Sequence, residues 1–166
     1  MASSRRVGAA ALLETTKPGI TRLVTITSMV GFAAAALSRP WQLSDLIFTG
    51  LATAFGTALS AAGANSINQW MERDRDGLMK RTLNRPLPSR RVSPQAVLTL
   101  GIVLGGLGFS TLAAFTGLAP AVLALTCLAV YVFWYTPMKV HSTLATFVGA
   151  IPGAVPPLIG WTAGST

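Results

Sequence analysis

The stretch Asn65–Pro88, NSINQWMERDRDGLMKRTLNRPLP, follows a long uncharged apolar run and carries charges of both signs. On an α-helix of about 3.6 residues per turn, Asn68, Glu72 and Asp76 recur at every fourth position, so their side chains line one face about 6 Å apart. Two carboxylates and an amide in that arrangement suit Mg²⁺, an ion that commonly binds together with phosphate oxygens. The stretch therefore predicts a site for a metal ion and a diphosphate at a membrane boundary.

Three basic residues follow the acidic face within one to three helical turns. Lys80, Arg81 and Arg85 could donate hydrogen bonds to the phosphoryl oxygens of the diphosphate. Asp74 falls off the ligand face, and we expect it to pair in water with a neighbouring arginine. The alternative is a solvated helix end with no ligand, but that interpretation does not require oxygen ligands at regular fourth positions.

The composition indicates an integral membrane protein. Of the 166 residues, 51% are hydrophobic and only 11% are charged, whereas soluble domains average about 25% charged residues. The net charge of +8 does not indicate nucleic-acid binding, because no basic stretch is interleaved with stacking aromatic residues and the charges lie between apolar spans. Cys127 stands alone in an apolar run and predicts a small buried side chain rather than a disulfide or metal ligand.

The apolar stretches predict an all-α, polytopic bundle of about five membrane spans, forming one integral-membrane domain over residues 1–166. The second predicted span is rich in glycine and other small residues, which favours a central position with close helix contacts. Prolines are expected to break the fifth. The five predicted spans are Ile20–Leu37, Leu46–Ala64, Ala96–Phe115, Ala121–Tyr135 and Ser142–Trp161.

The distribution of Lys and Arg predicts the orientation of the chain. With the N-terminus inside, twelve of the thirteen basic residues fall in inner segments and only Arg39 falls outside. Seven of the twelve lie in the predicted inner loop Met71–Pro94. We therefore expect an inner N-terminus, in a bacterial plasma membrane or a mitochondrial inner membrane.

The acidic motif also resembles a known family. Asn68-x-x-x-Glu72-x-x-x-Asp76, followed by KRTLNRPL at 80–87, is similar to the first acidic motif of the UbiA-type intramembrane prenyltransferases. That resemblance implies Mg²⁺ as the cofactor and a prenyl diphosphate as one substrate. It also implies a bundle of about nine helices with a second acidic motif. This chain carries one motif, so we expect it to be the N-terminal half, incomplete at its C-terminus, with a partner chain as one source of the other half.

Three further stretches resemble the haem branch of that superfamily, the protohaem IX farnesyltransferases or haem O synthases. This resemblance implies transfer of a farnesyl group from farnesyl diphosphate to the vinyl group of protohaem IX within the lipid bilayer. Two alternatives stay open: a prenyltransferase for an aromatic quinone precursor, and a catalytically inactive membrane fragment. The stretches are Thr16–Pro18 (TKP), Asn65–Gln69 (NSINQ) and Gly149–Trp161 (GAIPGAVPPLIGW).

The segment Tyr135-Thr136-Pro137-Met138-Lys139 resembles the Tyr-x-x-x-Lys element of the family. The resemblance implies that Tyr135 and Lys139 reach the allylic cation and the diphosphate and so act in catalysis. Without it, the same residues would be an interfacial tyrosine and a lysine that extends to the membrane surface. His141, the only histidine, is either a hydrogen-bonded polar residue or a haem-iron ligand.

Overall fold

The structure, a computed structural model, describes the backbone of residues 2–165 and the side chains of residues 8–165. Every element in that part of the chain is helical, which confirms the all-α class. A π-helical turn, here called the π segment, continues α5 into α6. The elements are α1 (Ala2–Thr15), α2 (Pro18–Ala36), α3 (Leu43–Asp76), α4 (Pro94–Phe115), α5 (Leu118–Ala129), the π segment (Val130–Tyr135), α6 (Thr136–Met138) and α7 (Ala145–Ser165).

Four helical stretches among the described residues are long and apolar enough to cross a membrane, which confirms a polytopic architecture. They are α2, α3, α4 and the continuous stretch Leu118–Met138. The fifth predicted span corresponds to α7, which has 21 residues, enough to cross, but is not among the four. The expected break in α7 is wrong: Pro152, Pro156 and Pro157 lie inside one unbroken helix. Pro156 cannot donate to the Pro152 carbonyl, which instead accepts a hydrogen bond of 3.6 Å from Cys127 Sγ of α5.

Helix α3 is longer than predicted and carries the acidic motif at its C-terminal end. Its 34 residues correspond to roughly 51 Å at 1.5 Å per residue, well beyond the ~30 Å hydrocarbon core. The expected loop start at Met71 is therefore corrected to Gly77, since the helix continues to Asp76. The apolar part and the polar end of α3 form one continuous helix.

Small residues bring α3 into close contact with α4, as predicted for a central helix. A Cβ atom on Gly63 would lie 2.6 Å from the backbone nitrogen of Gly105, and one on Gly108 would lie 2.6 Å from the backbone nitrogen of Ser60. Helices that lack a hydrophobic driving force in lipid associate by such close packing.

Helices α2 and α7 touch backbone to backbone. A Cβ atom on Gly160 would overlap the carbonyl oxygen of Ser28, and one on Gly31 would overlap the carbonyl oxygen of Pro157. Ser28 also shares a hydrogen bond of 3.3 Å with Thr57 of α3. These contacts join α2, α3 and α7 in the middle of the bundle.

Candidate functional site

The acidic face predicted on α3 exists and is buried. Asn68, Glu72 and Asp76 are 0%, 5% and 4% exposed, respectively. Asp74, between them in sequence, has a side chain 86% exposed and pairs with Arg73 at 3.7 Å, as predicted. The spacing of four residues thus separates the buried carboxylates from the exposed one.

Two cations from other segments neutralise the buried carboxylates. Arg85, from the loop between α3 and α4, places its NH1 nitrogen 2.6 Å from Asp76 Oδ2 and 3.9 Å from Glu72 Oε2. Lys139, at the end of α6, forms an ion pair through Nζ with Glu72 Oε1. Carboxylates this deeply buried require such partners, because an unpaired buried charge is strongly destabilising.

The other two predicted diphosphate residues lie apart from this cluster. Lys80 and Arg81 are exposed, and neither contacts the oxygen-bearing side chains of α3 among the described residues. The helix ends at Asp76, so Lys80 does not occupy the next position on the ligand face. Thr82 donates a hydrogen bond of 2.9 Å to the Asp76 carbonyl, and the chain then turns so that Arg85 reaches the carboxylate.

A third cation, Lys17, reaches the site and was not predicted to do so. Its Nζ donates a hydrogen bond of 2.6 Å to Asn68 Oδ1. Burial lowers the pKa of Lys17 to about 8, assisted by Arg85 and Lys139 and opposed by Glu72 and Asp76. The sequence feature that could have indicated this role is a lysine directly before a proline at the start of an apolar span.

Thr136, the first residue of α6 after the π segment, holds the amide of Asn68 in a fixed orientation. Asn68 Nδ2 donates a hydrogen bond of 2.9 Å to Thr136 Oγ1, and Thr136 Oγ1 donates one of 2.7 Å to the Tyr131 carbonyl. The backbone N–H of Thr136 bonds the same carbonyl five residues earlier, which is the π-helical pattern. The following Pro137 has no N–H to extend the regular helical pattern.

An apolar cavity of about 270 Å³ lies next to the acidic face and between α2, α3, α5 and α7. The rings of Tyr131 and Tyr135 stack at 5.6 Å along its wall. Tyr135 packs tightly against α7, since a Cβ atom on Gly149 would lie 2.7 Å from its ring. The remaining lining includes Ile20, Val24, Thr57, Ala61, Ala64, Asn65, Ala124, Leu128, Pro152 and Ile159.

A second, open cleft adjoins the cavity. It measures about 740 Å³ and is lined by Lys139, the exposed His141 and the first turns of α7. Tyr135 and Gly149 line both spaces. A molecule bound in the cleft and a hydrocarbon chain bound in the cavity would therefore meet at Tyr135.

The oxygen ligands of α3 fit a hard divalent cation only in part. No group of three or more His, Cys, Asp or Glu side chains placed to hold a metal lies in the described part of the chain. Mg²⁺ favours about six oxygen ligands, often one or two carboxylates completed by substrate phosphates and water. Asn68, Glu72 and Asp76 therefore suit a metal that binds together with a phosphate group.

Comparison with known proteins assigns the chain to a family. The sequence profile of the UbiA prenyltransferase family matches residues 24–166. The chain belongs to the UbiA prenyltransferase family. The three oxygen-bearing residues of α3, the π segment and the cavity-lining residues other than Ile20 lie within the part that matches this UbiA profile.

Several relatives carry the name protoheme IX farnesyltransferase. The protein from Anaeromyxobacter sp. (strain Fw109-5) is 44% identical over 152 residues, 92% of this UbiA chain and 49% of the relative. The protein from Sorangium cellulosum is 49% identical over 107 residues, 64% of this chain and 38% of the relative. The mitochondrial protein of Arabidopsis thaliana is 40% identical over 152 residues, 92% and 34% of the two chains. The chain thus spans half or less of these relatives' length. No solved structure matches it.

Thr136→Val should destabilise the protein, because it removes the acceptor for Asn68 and the donor to the Tyr131 carbonyl. We expect a loss of about 1–3 kcal/mol, the usual cost of a buried polar group left unpaired. Thermal unfolding in detergent measures the loss. Thr162→Val is the matched control, since its hydroxyl bonds only carbonyls of its own helix. Equal effects of the two substitutions would contradict the positioning of Asn68 by Thr136.

Proposed function

We propose that this protein transfers a farnesyl group from farnesyl diphosphate to the vinyl group of protohaem IX, giving haem O. The observation that carries the proposal is the juxtaposition of buried Glu72 and Asp76, their cationic partners and an adjoining apolar cavity. Such a site can hold a diphosphate at its polar end and an isoprenoid chain at its apolar end. The relatives named above support haem as the acceptor.

In this proposal the residues around α3 promote departure of the diphosphate. Mg²⁺ would be held by Asn68, Glu72 and Asp76 together with phosphate oxygens, and it would neutralise charge on the leaving group. Arg85 and Lys139 lie where they can donate to the same phosphate oxygens, so the carbon–oxygen bond can ionise. Lys80 and Arg81 lie in the loop that also carries Arg85, and they are proposed to donate hydrogen bonds to the diphosphate from there.

The cavity protects the allylic cation formed when the diphosphate leaves. Its wall is mostly apolar, which would limit the access of water to the cation, while the stacked faces of Tyr131 and Tyr135 can stabilise positive charge. The electron-rich vinyl carbon of the acceptor forms the new bond to the terminal carbon of the farnesyl chain. Addition of water then completes the hydroxyethyl group. The open cleft beyond Tyr135 offers the acceptor a route to that carbon.

Asp76→Asn and Glu72→Gln should each reduce transfer by a factor of roughly 10² or more, as for the loss of a preorganised charge-stabilising group. The assay is haem O formation from protohaem IX and farnesyl diphosphate with Mg²⁺, in a version of the protein that spans its relatives' full length. Asp74→Asn is the matched control and should have little effect, because its carboxylate is exposed. If Asp74→Asn proved as damaging as Asp76→Asn, the proposed ligand face would be wrong.

The same assay separates haem from an aromatic quinone precursor. Replacing protohaem IX with 4-hydroxybenzoate should give no prenylated product. A prenylated benzoate in place of haem O would overturn the proposed acceptor and leave the diphosphate site unaffected.

We also propose that residues 1–166 act together with the further length that the relatives have, in one chain or supplied by a partner chain. One acidic face supplies only part of the oxygen ligands and bound metal that a diphosphate needs. The 166 residues alone should give no measurable haem O, and co-expression with a second half taken from a relative should restore it, since helix packing in lipid does not require a covalent link. Full turnover by the 166 residues alone would contradict this.

We propose that the N-terminus and the loop Gly77–Ser93 lie inside, in a bacterial plasma membrane or a mitochondrial inner membrane. In a Cys127→Ser background, Leu78→Cys in that loop should resist membrane-impermeant thiol reagents added to sealed cells. Ser38→Cys, exposed at the opposite end of α2, should react. Labelling of Leu78→Cys from outside would invert the proposed orientation.

A further inference from the structure

The junction between α1 and α2 is held against α3 by a set of polar contacts. Asn65 Nδ2 donates to the Thr16 carbonyl at 3.2 Å, and Gln69 Nε2 donates to the Thr15 carbonyl at 3.4 Å. The hydroxyls of Thr15 and Ser66 lie 3.3 Å apart. Asn65 and Gln69 therefore hold the backbone immediately before Lys17, and Ser66 holds the Thr15 side chain.

Lys17 has a backbone conformation that non-glycine residues rarely adopt. Its φ of 48° and ψ of 68° lie in the left-handed region. Such a conformation is strained, and it persists only where surrounding contacts enforce it, often at functional sites. Here it directs the lysine side chain toward α3, where Nζ reaches Asn68 Oδ1.

The partner of Lys17 is neutral, although the lysine is a cation. Among the described residues it forms no ion pair with a carboxylate, since Glu72 pairs with Lys139 and Asp76 pairs with Arg85. Three positive charges thus face two negative charges, which leaves one positive charge in excess at a largely buried site. Buried charges without a counterion are costly, so an excess of this kind favours binding of an anion.

We propose that Lys17 is a further diphosphate-binding residue, whose ammonium exchanges the Asn68 amide for a phosphate oxygen when the diphosphate enters. This inference rests on the proposed function, because it assigns a ligand to the same site. It gives the leaving group three cations, from the α1–α2 junction, the α3–α4 loop and the end of α6.

Binding of inorganic pyrophosphate with Mg²⁺, measured by isothermal titration calorimetry on the protein at its relatives' full length, tests this assignment without turnover. Lys17→Met should weaken pyrophosphate binding by roughly tenfold to a hundredfold, as expected for loss of a charge-assisted hydrogen bond. Lys17→Arg, which keeps the charge, should recover most of the affinity. In the transfer assay, Lys17→Met should raise the KM for farnesyl diphosphate and leave the KM for protohaem IX unchanged.

Arg22→Met is the matched control, since Arg22 is an exposed cation one turn further along α2 and should not affect pyrophosphate binding. Thermal unfolding of the ligand-free protein separates binding from a structural role. If Lys17 serves mainly to hold Asn68, Lys17→Met should lower the unfolding midpoint. If Lys17 serves to bind the ligand, Lys17→Met should leave the midpoint unchanged or raise it. Pyrophosphate affinity within twofold of wild type in Lys17→Met would overturn the proposal, whatever the midpoint.

The carboxylate variants keep this test distinct from that of the proposed function. If Asp76→Asn and Glu72→Gln abolish pyrophosphate binding while Lys17→Met does not, only the role of Lys17 is wrong. If the carboxylate variants also bind and transfer normally, the site itself is wrong.

Discussion

The burial of two carboxylates at the C-terminal end of an apolar helix is the constraint on which the rest of the structure depends. Glu72 and Asp76 extend from α3 where water is largely excluded, and the cost of burying them is offset only by cations from outside that helix. Arg85 requires a loop that folds back, and Lys139 requires the end of α6 to approach α3. The need for countercharge thus brings three distant parts of the sequence together.

In the proposed prenyl transfer, the same arrangement would meet the polar and the apolar requirements of the reaction in separate places. The buried charges lie at one end of α3, while the cavity beside it is lined mainly by apolar side chains and by the rings of Tyr131 and Tyr135. A diphosphate stripped of water needs strong fixed countercharge, and an allylic cation needs a surface that offers no nucleophile. The boundary between these regions lies at Asn68. Its amide is bonded to the Lys17 ammonium on one side and to Thr136 of α6 on the other.

Much of this arrangement could be predicted from the sequence, because it depends on local periodicity. A spacing of four residues identified the buried face of α3, and the apolar runs gave the ends of α2 and α4 to within about two residues. A contact between residues 51 positions apart leaves no periodic pattern in the sequence, so the sequence did not predict that Lys17 reaches Asn68. Proximity in sequence also predicts that Lys80, Arg81 and Arg85 act at one place. The turn after Asp76, however, brings only Arg85 to the carboxylates.

The contact between α2 and α7 defines how deep the cavity can be. Its lower lining includes Thr57 and Ile159, directly beside the backbone contact of Gly160 with Ser28. From Asn68 to Thr57 the distance along α3 is roughly 16 Å at 1.5 Å per residue. Long side chains at this end of the cavity could change rotamer to make room, but two backbones in contact cannot. If the cavity holds an isoprenoid chain as proposed, this contact limits the length that fits, and a longer isoprenoid would have to fold back on itself or extend sideways between helices.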